Sequence, residues 1–82
     1  MSRKHRQTGS EEKIRRDVAK YCAAHPRSPS AVRHPHIFTD HGRYVALLGK
    51  SIKDGVFGFG SSVFSALQAF DSLYVQSELR NH

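Results

Sequence analysis

The feature that most constrains this chain is its last quarter. Residues 61–79 contain no Gly or Pro, and their apolar positions recur at a helical period: Val63, Ala66, Leu67, Phe70, Leu73 and Tyr74 fall at i, i+3, i+4, i+7, i+10 and i+11. Ser61 or Ser62 stands where an N-cap is needed, and Gln68, Asp71, Ser72 and Gln76 take the opposite face. The spacing predicts a helix of about 18 residues, roughly 27 Å long, with one apolar side. That side has to be buried against a second layer. With 82 residues there is room for one domain only, which excludes a Rossmann domain, a TIM barrel or any two-domain enzyme with a deep cleft.

The second layer is legible just upstream. His36-Ile37-Phe38-Thr39 and Arg43-Tyr44-Val45-Ala46-Leu47-Leu48 are rich in strand formers, and Asp40-His41-Gly42 between them reads as a hairpin turn with Gly42 in the left-handed conformation. Gly49-Lys50-Ser51 opens a second connection, and Asp54-Gly55 is a further turn signal. Val56-Phe57-Gly58-Phe59-Gly60 supplies a third strand, weakened by its two glycines.

The first half is polar and basic. Residues 1–9 show no apolar period and are expected to be a mobile tail. A helix is predicted over 10–25, with Thr8 and Glu11 spaced as a capping box, Ser10 as a competing cap, and Ile14, Val18, Tyr21 and Cys22 on one stripe. Pro26 ends it. Residues 26–35 hold all three prolines and read as an extended, exposed linker. The expected fold is therefore α+β, a two-layer α-β-β-β-α domain over 10–82, with the sheet over 36–60 and the closing helix over 61–79.

Charge is distributed unevenly along this order. Residues 1–43 carry 10 Lys and Arg against 4 Asp and Glu, whereas 44–82 carry 3 of each, so the whole net charge of +6 lies in the first half. Such asymmetry points to an anionic partner, and the candidate nucleic-acid contacts are Arg3, Lys4, Arg6, Lys13, Arg15, Arg16, Lys20, Arg27 and Arg33. The plainer reading is a solvated surface, diluted on the helix by Glu11, Glu12 and Asp17.

Other chemistries find less support. Gly55, Gly58 and Gly60 precede a serine-capped helix, a place where amides can hold phosphate, but the pattern is neither a Walker loop nor a dinucleotide fingerprint. Close helix-on-sheet packing or a bulge explains the same glycines. Cys22, His25, His34 and His36 could enclose zinc only at a spacing no standard finger uses, so no metal or other cofactor is expected. No carboxylate pair faces a visible cleft, and Cys22 lies at a helix C-terminus, where the dipole disfavours a thiolate, so no catalytic residues are assigned and an enzyme is not expected. The uncharged stretch 55–70 is too short to span a bilayer. A single Cys, and no apolar run after the basic start, lead us to expect a cytoplasmic protein without a secretory leader.

From Tyr44-Val45-Ala46-Leu47-Leu48-Gly49 through Gly58-Phe59-Gly60-Ser61-Ser62-Val63-Phe64-Ser65-Ala66-Leu67, the chain resembles the strand, Gly-x-Gly, helix unit of HicB-like antitoxins. The α-β-β-β-α order is similar to that of double-stranded-RNA-binding domains. The resemblance implies this fold and a small binding module. Ser62-Val63-Phe64 stands where RNA-binding domains carry a lysine cluster, and the opening strand usual in HicB proteins is not visible. Two functional readings follow: a nucleic-acid module working through the basic first half, or an antitoxin-like module that forms a homodimer or binds a partner protein through its sheet.

Overall fold

In the computed structural model, which describes residues 2–50 and 55–80 (side chains for 11–50 and 55–79), the chain runs α1 (Ser2–Ala24), α2 (Pro29–Arg33), β1 (His36–Asp40), β2 (Arg43–Leu48), β3 (Val56–Gly60) and α3 (Val63–Arg80). The strands form one antiparallel sheet in the order β1-β2-β3, and helices cover one of its faces, which is the α+β architecture expected. Both β1 and β3 are edge strands.

The hairpin is tighter than expected. Asp40 pairs with Arg43, so Asp40 closes the ladder and only His41 and Gly42 make the turn. Both have positive φ, 52° and 76°, as a two-residue type I′ connection requires. His41 holds this left-handed conformation with its Nδ1 2.9 Å from Asp40 Oδ1.

Strand alternation divides the sheet. Ile37, Tyr44, Ala46, Leu48 and Val56 face the helices and join Val63, Ala66, Leu67, Phe70 and Tyr21 in the core. Phe70 is fully buried. Gly58 and Gly60 explain how α3 lies so close to β3. A Cβ on Gly58 would collide with Phe70 N and stand 2.7 Å from Ala66 O, and one on Gly60 would stand 2.7 Å from Ser65 C. The two glycines remove the bulk that would hold the helix away.

α3 opens on a reciprocal serine cap. Ser65 N donates to Ser62 Oγ and Ser62 N donates to Ser65 Oγ, both at 3.1 Å, so a Ser at the third helical position takes the part usually played by Glu. Of the expected inner stripe, Leu73 is largely exposed, whereas Asp71, expected on the wet side, is half-buried.

The first half departs most from expectation. α1 begins at Ser2, so the backbone of 2–9, expected to be a tail, is helical, and Thr8 and Ser10 lie inside the helix rather than at its start. The segment contains good helix formers and no Pro, and one interior glycine, Gly9, weakens a helix by only about 1 kcal/mol. The expected linker over 26–35 contains α2. Ser28 caps it, its Oγ accepting from Ala31 N at 3.2 Å, and Pro29 occupies the first turn, where a missing N–H does no harm. His34, at φ 57°, ends it and donates to Ser30 O. The turn signal at Asp54-Gly55 falls partly outside the described residues.

Candidate functional site

α1 sorts its side chains by position. Ile14 and Val18 pack against the core and Tyr21 is buried within it. Lys13, Arg15, Arg16 and Lys20 are all exposed. Lys13, Arg16 and Lys20, at i, i+3 and i+7, share one helical face, while Arg15 projects elsewhere. Lys13 is drawn toward Asp17, with Nζ 3.7 Å from Oδ2, and lies 6.0 Å from the centroid of the Tyr44 ring. Both side chains of the pair touch water, so the attraction is weak and leaves Lys13 free to exchange Asp17 for another anion.

The remaining candidates are scattered. Arg27 is exposed in the turn between α1 and α2. Arg33 is committed to α3: its Nε donates to Tyr74 Oη at 2.8 Å, and its guanidinium lies 5.8 Å from the Tyr74 ring centroid. Arg3, Lys4 and Arg6 stand on the first turns of α1, where side chains lie outside the described ones. The structure therefore groups Lys13, Arg16 and Lys20 and does not bring Arg15 or Arg33 to them.

A polar node joins this half to the rest. Asp71 on α3 accepts from Tyr21 Oη at 2.6 Å through Oδ2, and from Ser30 N at 2.8 Å and Ser30 Oγ at 2.6 Å through Oδ1. Burial, then the hydrogen bond to Asp71 and its charge, push the Tyr21 hydroxyl well above its ordinary range. Burial, and then the Asp71 charge, also raise the Cys22 thiol, which keeps it protonated and a poor nucleophile. Among the described residues no group of three His, Cys, Asp or Glu side chains is placed to hold a metal ion. The glycine-serine segment before α3 is occupied by packing and capping, since Gly58 and Gly60 face the helix and the Ser65 amide is already bonded. Among the same residues no helix is long and apolar enough to cross a membrane.

One surface escaped the sequence reading. The sheet face turned away from the helices carries, by register, the rows Phe38, Val45, Phe59 and His36, Leu47, Phe57. Arg43 lies at the end of this face with its guanidinium 4.3 Å from the Phe59 ring centroid. The available signal was the unbroken run Tyr44-Val45-Ala46-Leu47-Leu48 in β2, which places apolar residues on both faces of the strand where a half-solvated strand would alternate apolar with polar. Comparison with protein-family models, with curated proteins and with solved structures gives no match to this chain.

Proposed function

We propose that this protein is a non-enzymatic nucleic-acid-binding module that contacts the phosphate backbone through its basic first half. The observation that carries the reading is the exposed face of α1, where Lys13, Arg16 and Lys20 stand together on the half of the chain that holds all the net charge. Cations so placed displace condensed counterions from a polyanion, and that release drives association. A cytoplasmic setting fits the lone Cys22.

The test is binding of duplex DNA, duplex RNA and single strands over a salt series. Replacing Lys13, Arg16 and Lys20 by Gln weakens binding and lowers the slope of log K against log salt by roughly 0.7–0.9 for each phosphate no longer neutralised. An unchanged slope in that variant removes α1 as the binding surface.

One observation favours a second reading, the antitoxin-like protein-interaction module. β3 is an edge strand with no charge and no Pro in 56–60, so it lacks the usual guards against strand addition by a second copy or a partner. Phe57→Lys would then convert a dimer to a folded monomer, and a wild-type chain that stays monomeric at high micromolar concentration sinks the homodimer form of this reading.

A further inference from the structure

We infer that the outer face of the sheet is a stacking surface for the bases of single-stranded nucleic acid. The inference rests on the nucleic-acid reading above but places a contact on a second surface, across the sheet from α1, α2 and α3.

The face is built from rings on the two edge strands with aliphatic side chains between them. His36 and Phe38 lie on β1, with centroids 5.4 Å apart and planes 27° apart; Phe57 and Phe59 lie on β3, with centroids 5.0 Å apart. Val45, between Phe38 and Phe59 on β2, is fully buried although it points away from the helices. Its register neighbours Phe38 and Phe59 flank it on either side, so the burial of Val45 fits a floor of rings drawn in over the middle strand. His36 and Phe59 remain exposed at its two sides.

Charge decides what covers this floor. Arg43 is a cation on this face, stacked on Phe59, where it can continue a stack of bases and reach a phosphate. Asp40, cross-strand from Arg43 at the end of the face, has its Oδ1 2.9 Å from His41 Nδ1. A second copy would bring a net charge of +6 against +6, whereas a nucleic acid brings the opposite sign. Every base offers a π face, so rings recognise a strand without demanding a sequence. Duplex bases are stacked on each other and closed to such a floor, which makes the occupant a single strand.

The experiment measures fluorescence anisotropy of a labelled oligo-dT of about 12 nucleotides, a length within the range one small domain covers, and of a duplex of equal length. Phe38→Leu with Phe59→Leu keeps apolar bulk and removes two rings; Arg43→Gln alters only an exposed side chain and guards against a misfolded double variant. We expect the leucine pair to weaken oligo-dT binding roughly tenfold while duplex binding stays as in the wild type, and Arg43→Gln to weaken it in the same selective way. Folded variants that bind oligo-dT as tightly as the wild type overturn the inference, as does a wild type that binds duplex alone; both results leave the proposed function standing. A wild type that binds neither overturns both. A dimer that excludes oligo-dT, and that the leucine pair dissociates, assigns the face to a second copy and overturns the inference.

Discussion

Asp71 is the residue on which the arrangement of the molecule turns, and its role was not readable from hydropathy. The spacing put it on the wet side of α3 with Gln68 and Ser72, and nothing in the hydropathy of α3 itself marks the partners, Tyr21 and Ser30, that another part of the chain brings to it. Ser30 is hidden inside a proline-rich stretch, yet it is 1% exposed and gives both its donors to Asp71. Asp71→Ala leaves Tyr21 Oη and Ser30 N without their acceptor and leaves Ser30 Oγ only the longer bond to Leu67 O at 3.4 Å, and we expect a loss of about 2–4 kcal/mol in urea unfolding. A change below about 0.5 kcal/mol would show that water replaces the carboxylate at little cost. The Tyr21 hydroxyl also makes stability depend on pH. Its pKa is raised on folding, so the unfolded chain loses the proton first; the contribution is complete below the unfolded value of about 10 and declines as pH climbs beyond it. The stability advantage of the wild type over Tyr21→Phe should therefore shrink above about pH 10. An advantage that holds constant across that range would place the hydroxyl in water.

At the scale of elements, legibility followed length and period. α3 was plain in the spacing of Val63, Ala66, Leu67 and Phe70, and β2 and β3 were bounded by their turn residues. α2 was not, because five residues show no period and Pro29, counted as part of an extended linker, is here a helix starter. The start of α1 was missed for the opposite reason: a helix once begun extends through polar sequence that carries no stripe of its own. The glycines of β3 were expected to weaken a strand or permit close packing, and the backbone of α3 shows the second. Gly58→Ala forces that backbone outward and should cost about 1–3 kcal/mol or more. Phe70→Ala, which empties the centre of the core, should cost about 3–5 kcal/mol. A thermal midpoint lowered by only a degree or two in either variant would mean that α3 and the sheet are less tightly joined than their geometry requires.

For the whole molecule, the consecutive elements β1, β2, β3 and α3 form the sheet and its covering helix, while α1 and α2 reach them across long stretches of chain. Tyr21 and Asp71 are 50 residues apart, and Ser30 and Arg33 each meet α3 at a separation of 41. That division was visible as a split in charge before it was visible as a split in packing. Local pairings form before distant ones, so the hairpin, β3 and α3 can assemble early and the basic helices dock late. The same tethers govern opening in the native state. Amides of α1 and α2 should exchange with deuterium at a lower free energy than those of β2 and the middle of α3, and Asp71→Asn should widen the gap. Uniform exchange at the global value would show a single cooperative unit. If the gap exists and opening unwinds α1, an anion held across Lys13, Arg16 and Lys20 does more than bind: it favours the state in which those cations share a helical face, and the chain becomes harder to cleave in its first 30 or so residues while its ligand is present.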